Sequence, residues 1–221
     1  MRFVAAVLIA SLPWRLKRAL LVRFFGAKIA KDAKIGVSIV LAKRIEIGAG
    51  ARIGHLNVIR GMSLLSLGDG AIIGNLNWIT AFPENAGGHF AHLPERKPHL
   101  VLEEHATITN RHLIECTDLV HIGRFGGIGG FRCQILTHGV DLYRCRQTAK
   151  GVHIGAYSYV GTGCIILAGS TLPARSILGA GSVLTGVFKE EGHLYRGNPA
   201  VMVRKIVTDR GFFVRTSGFI K

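Results

Sequence analysis

Acidic side chains are scarce in this chain. The 13 Asp and Glu stand against 28 Lys and Arg, a net charge of +15, and no acid precedes Asp32. Such an imbalance suits an anionic partner: nucleic acid, lipid, or a phosphorylated cofactor or substrate. Nucleic acid is set aside, because the basic residues are scattered and no nucleic-acid-binding motif accompanies them. Cysteine is sparse too. Cys116, Cys133, Cys145 and Cys164 form no CxxC pair and show no zinc-ligand spacing. That argues against a disulfide framework and for a reducing compartment. Long hydrophobic runs are missing: the apolar stretch at residues 3–12 is too short to cross a bilayer upright.

What the chain has instead is a period of six. Residues 154–184 read IGAYSY, VGTGCI, ILAGST, LPARSI, LGAGSV, L. The first place of each hexad is Ile154, Val160, Ile166, Leu172, Leu178 and Leu184, and the fifth is small: Ser158, Cys164, Ser170, Ser176 and Ser182. Six matches neither a helix nor a simple alternation. It requires a short straight segment and a corner, with the apolar residue inward and glycine relieving the bend. Three segments close a triangular coil, and coils stack by parallel pairing. The fold class is all-β, a parallel β-helix. An earlier frame runs Ile29, Ile35, Leu41, Ile47, Ile53, Ile59, then Leu67, Ile73, Ile79, then Leu102, Ile108, Ile114, then Ile122 and Ile128. Asn57 and Asn77 recur one coil apart, so their amides are expected to stack.

These hexads, with the ending GAGSVLTG…YRGNPAVMVRKI at residues 179–206, resemble the hexapeptide-repeat acyltransferases. They are most similar to the galactoside, maltose and exopolysaccharide O-acetyltransferases. The resemblance implies a left-handed coil and a homotrimer. It also implies acyl transfer from acetyl-CoA to a sugar hydroxyl of a surface polysaccharide or its lipid-linked precursor. The saccharide acceptor and the donor place the protein in the cytoplasm, or on the inner face of the cytoplasmic membrane. A soluble acceptor (amino sugar, amino acid or antibiotic), a zinc enzyme like the γ-carbonic anhydrases and a non-catalytic structural β-helix are the alternatives. No histidine pair beside His138 has the spacing that the zinc reading needs.

The chain divides into a helical segment at 1–28, a β-helix at 29–189 with loops at 81–99 and 138–151, and an extension at 190–221. In the helical segment Leu16, Leu20, Leu21 and Phe24 can share one face, and the first thirty residues hold six Lys or Arg. A basic amphipathic helix behind a Trp suits an anchor on an anionic membrane. It also suits a cap on the open end of the solenoid. A signal peptide, with small residues around Ala10, is a third reading.

A coil wall offers no deep cleft, so chemistry belongs where the coil opens. His138 sits at such a break, and an imidazole is the side chain that titrates near neutral pH. Asp141 follows in the same loop and is expected to orient it. In the family that the chain resembles, the segment TH-x-x-D at this break carries the catalytic histidine, and His138 matches it. The resemblance also assigns the CoA groove to Thr162, Ala180, Thr185 and Arg204. The lysine often found after the threonine is Gly186 here, and a basic residue often found after GNPA is Val201. The remaining phosphate partners are therefore Lys205, Lys189 and Arg196. No metal is expected: His89, His92 and His99 lack a companion ligand. His112 and Asp118, at fifth places, either pair or line a cleft, and His105 and Asn110 are candidates to face it from the coil above.

Overall fold

The computed structural model describes residues 2–85 and 87–218. Two helices, α1 (Arg2–Ala10) and α2 (Trp14–Phe25), lead into short strands in three parallel sheets. The chain visits the three faces in turn. Strands Val120–Ile122, Gly127–Ile128 and Gln134–Leu136 make one coil, one strand per face. The next begins at Val152–Ile154, directly above the first of these. The first and third faces have seven strands each. The second has nine, because the hairpin His193–Gly197/Ala200–Lys205 extends it.

The hexads fill the prism. Ile154, Val160, Ile166, Leu172, Leu178 and Leu184 are fully buried, and so are the small fifth-place residues. Vertical rows such as Ile128, Val160 and Leu178 stack in register along one face. Each buried aliphatic contributes roughly 1.5–3 kcal/mol relative to exposure. Coils approach so closely at the corners that a Cβ at Gly161 would lie 2.7 Å from the backbone N of Ala180. The frame fails once. In the first coil Val40, not Leu41, points inward, because Val40 takes the register opposite Ile59.

Polar residues form a second column. Asn57 Oδ1 accepts from the backbone N–H and the Nδ2 of Asn77, at 2.9 and 3.0 Å. Asn77 Oδ1 accepts the N–H of His112 at 2.9 Å, and His112 Nδ1 accepts the N–H of Cys133 at 3.1 Å. The stacked amides are thus structural, and His112 belongs to the column. It does not pair with Asp118, which accepts the N–H groups of Lys97 and Leu119 at a different corner.

Helix α2 closes the N-terminal end. Its buried face carries Leu21 and Lys17, while Leu16 and Phe24 are exposed, so the expected leucine face is rotated. The reason is the coil end, which presents unpaired carbonyls. Lys17 Nζ donates to Gly36 O at 2.7 Å, and Arg18 donates to Ile29 O at 2.8 Å. Burial pushes the Lys17 ammonium below its ordinary pKa. The cap function is therefore a property of the structure.

Candidate active site

Two excursions leave the prism at one corner, where the third face passes to the first. The earlier joins Trp78–Thr80 to His99–Leu102. The later joins Gln134–Leu136 to Val152–Ile154. Between them lies the turn that follows Leu113–Glu115. The later excursion is a regular antiparallel hairpin, His138–Asp141 with Arg146–Ala149, not the irregular loop its sequence suggests. It stands off the core with Val140, Leu142 and Tyr143 exposed, so no inward period marks it.

His138 opens this hairpin. Its Nδ1 lies 2.9 Å from Glu115 Oε2. The contact is close but off the N–H axis, and Nδ1 has no other partner; it is an electrostatic contact. Glu115 is buried, and its Oε2 also accepts the N–H of Thr137 at 2.9 Å. The acid is thus fixed to the wall while the histidine ring remains partly exposed, at 27%.

The earlier excursion covers the other side of the ring. Phe82 meets His138 edge-on with ring centres 5.4 Å apart, and Phe90 does so at 6.3 Å. Arg96 lies 4.5 Å over the Phe90 ring. Its guanidinium donates to Phe82 O, Thr117 O and Pro83 O at 2.6–2.7 Å. Arg96 therefore staples the excursion to the turn beside Glu115. His92 Nε2 contacts Gln147 O at 2.8 Å, joining the two excursions. A cavity of about 430 Å³ lies there, lined by His89, His92, Val140 and Arg146.

Asp141 is not the orienting acid. It accepts the N–H groups of Tyr143 and Arg144 and holds the hairpin turn. His138 and Asp141 are three apart on one strand, so their side chains leave opposite faces. Glu115 takes the expected place. No sequence signal singles it out: the register sets Glu115 opposite Leu136, so one coil back from His138 is Thr117, two residues beyond the acid.

The four residues assigned to CoA fall at different places. Thr162 and Ala180 share the corner between the second and third faces. The Thr162 hydroxyl accepts the N–H of Phe131 and donates to its carbonyl. Thr185 lies on the His138 corner, after Val183–Leu184. Arg204 pairs opposite Leu194, near the far end of its strand from Ala180. Arg196 is closer: its stem runs 3.0–3.3 Å from where a Cβ on Gly179 would be. His105 and Asn110 do not face His138. His105 stacks on Phe125 at 4.9 Å on another corner, and Asn110 accepts the N–H of Asn75. His121 contacts Glu103 at 2.9 Å and lies 5.7 Å from His153. Among the described residues no group of three ligands could hold a metal.

A cavity of about 720 Å³ lies on the second face beneath Phe212 and Arg215. Its histidine, His105, faces the exposed Glu104 at 3.9 Å. It lacks the buried acid that His138 meets in Glu115.

No sequence family and no curated protein matches the chain. Solved structures do. AntD, an N-acyltransferase from Bacillus cereus in complex with dTDP and 3-hydroxybutyryl-CoA, aligns over 87% of this chain and 87% of its own, with 13% identity and a TM-score of 0.54. A variant of AntD with dTDP-4-amino-4,6-dideoxyglucose and Coenzyme A aligns over 87% and 88%, at 13% identity and 0.51. A hexapeptide-repeat acetyltransferase from Vibrio cholerae covers 93% of this chain and 90% of its own, at 17% identity and 0.47. What the AntD likeness shows is the fold: this chain is a left-handed parallel β-helix of hexapeptide repeats.

Proposed function

We propose that the protein is an acyltransferase in which His138 is the general base and Glu115 its positioning acid. The donor is acetyl-CoA or a related acyl-CoA, and the acceptor is a sugar hydroxyl of a surface polysaccharide or its lipid-linked precursor. The observation that carries this reading is the 2.9 Å contact between a buried carboxylate and a half-open imidazole, at the corner that two excursions enclose. Glu115 favours a proton on Nδ1, which leaves Nε2 as the acceptor of a proton. His138 removes the proton from the acceptor hydroxyl as its oxygen attacks the thioester carbonyl. The C–S bond then breaks, and the imidazolium returns the proton to the departing sulfur. Glu115 offsets the positive charge that His138 carries in between. Cys133, buried in the polar column, takes no part.

Exposed Arg196, Arg204 and Lys205 near the hexapeptide C-terminal end suit the phosphates of CoA. Thr162 and Ala180 lie at one edge of the third face, and His138 and Thr185 at the other. A second copy that sets one edge against the other would unite them in one cleft, which supports a homotrimer. An acyl-CoA donor supports a cytoplasmic location.

The AntD likeness supports a second reading, N-acylation of a nucleotide-linked amino sugar. The two are separated by following release of free thiol from acetyl-CoA with lipid-linked saccharides in one panel and dTDP-amino sugars in another. Turnover on the first panel that His138→Ala abolishes supports the O-acyl reading. Turnover on the second alone replaces it, and no turnover on either supports a structural β-helix.

A further inference from the structure

The capping helices leave an outer surface that the prism does not use. On α1 the inward side is Ala6, Ile9 and Ala10; the outward side is Phe3, Val4, Val7 and Leu8, all exposed. Val4 and Leu8 are 62% and 65% exposed. Four apolar side chains on one helical face, facing water, are unusual unless something covers them. Phe24 of α2 is also exposed, at 74%, and lines a cavity with Ala5 and Ile9 between the two helices.

The charges around this face divide into two groups. Lys17 and Arg18 are turned inward onto coil carbonyls. Arg15, Arg23, Lys31 and Lys34 remain exposed, as does Lys28, which pairs with Glu46 at 3.5 Å. The sole acid among the first 45 residues is Asp32. No described helix is long and apolar enough to cross a membrane.

We infer that the N-terminal end of the prism docks on an anionic lipid bilayer. The outward side of α1 enters the interface, and Arg15 and Arg23 of α2 contact the lipid phosphates. Charge decides between lipid and another protein surface of this chain. A second copy would bring a second basic end against the first, whereas an anionic bilayer is complementary. The same helix pair therefore caps with one side and docks with the other. The inference does not depend on acyl transfer, since it is read from binding alone.

The test is flotation of the purified full chain with vesicles of phosphatidylcholine, with and without phosphatidylglycerol. The wild type is expected to float with the anionic vesicles and to be released by salt. V4D/L8D should abolish flotation. R15Q/R23Q should weaken it by about 30-fold, from about 1 kcal/mol for each cation near an anionic surface. Thermal melting of both variants should match the wild type, because all four positions are exposed. K17Q should lower the melting temperature while leaving the folded fraction bound. Equal binding to neutral and anionic vesicles, binding retained by V4D/L8D, or no binding at all would overturn the inference. So would a V4D/L8D protein whose only defect is a smaller mass by light scattering, which would give the face to a second copy.

Discussion

Glu115 and His138 meet at 2.9 Å from adjacent coils, the acid buried in the wall and the imidazole at its mouth. The wall holds the acid through Thr137, whose N–H donates to the same carboxylate oxygen. Replacing His138 by Ala should lower kcat by about 10²–10⁴-fold, the range of general-base catalysis. The dissociation constant for CoA and the melting temperature should change little. Glu115→Gln should lower kcat by about tenfold or more, because the imidazolium loses its counter-charge, an effect on the scale of an ion pair worth 1–2 kcal/mol. Asp141→Asn should lie within about threefold of wild type, since the amide oxygen can still accept the N–H groups of Tyr143 and Arg144 and only the surface pair with Arg144 is lost, worth about 0–1 kcal/mol. Steady-state kinetics of the three proteins, with calorimetric titration of CoA, check this ordering. Equal losses in the Asp141 and Glu115 variants would return the orienting role to Asp141.

The polar column makes a separate prediction about stability. Asn77 gives and receives hydrogen bonds on both sides, to Asn57, to Thr109 O and from His112. Asn77→Ala would leave the His112 N–H and the Thr109 carbonyl unpaired, while Asn57 Oδ1 keeps the backbone N–H of residue 77, at about 1–3 kcal/mol for each group that water cannot reach. The loss should be as large as that of a core Leu→Ala change, roughly 2–5 kcal/mol. Urea denaturation read by circular dichroism would measure it. A loss under about 0.5 kcal/mol, the ordinary range for a surface site, would mean that the amide ladder is not structural.

The periodic part of this molecule was legible because burial and sequence obey the same rule. Every first-place residue from Ile154 to Leu184 is fully buried, and Asn57 meets Asn77 as the twenty-residue echo requires. The site was half legible. The break at His138 is visible where the hexads stop. The acid that the sequence offers in the same loop, Asp141, is near in sequence but on the opposite side of the strand. Contacts between coils are distant in sequence, and even a full coil counted back from His138 ends at Thr117, two residues beyond Glu115. Arg96 carried no signal at all, because its three acceptors are backbone carbonyls, which every residue type supplies.

Arg196 and Arg204 differ in position along the terminal hairpin, and that separates their effects on CoA. Arg196 passes over Gly179 beside Ala180, while Arg204 lies opposite Leu194 toward the other corner. Arg196→Ala should raise the KM for acetyl-CoA by about tenfold with kcat unchanged, the sign of a lost uniform contact worth about 1.4 kcal/mol. Arg204→Ala should have the smaller effect. Initial rates across donor concentration decide, and the reverse order would restore Arg204 as the phosphate partner.

Arg96 links the fold to the site without touching the reacting atoms. It is buried, and burial lowers its pKa, partly opposed by the nearby charges of Asp118 and Glu115. Guanidinium stays charged at any working pH, so the charge must be met by dipoles, and three carbonyls meet it. Removing it should release Phe82 and Phe90 from the His138 ring while the prism, built on aliphatic rows, remains folded. Arg96→Ala is therefore expected to lower kcat and raise the KM for the acceptor together, as a displaced positioning element does. CoA affinity should stay near wild type, because Thr162, Ala180 and Arg196 lie on another corner. Limited proteolysis should cut residues 81–98 faster, with the remainder of the chain protected. Arg96→Lys should recover part of the lost rate, since one ammonium can replace some of the three contacts but lacks the planar fork. If Arg96→Ala opens the excursion to protease yet leaves acceptor KM and kcat unchanged, the excursion is no wall of the active site, and His138 with Glu115 must work from an open corner.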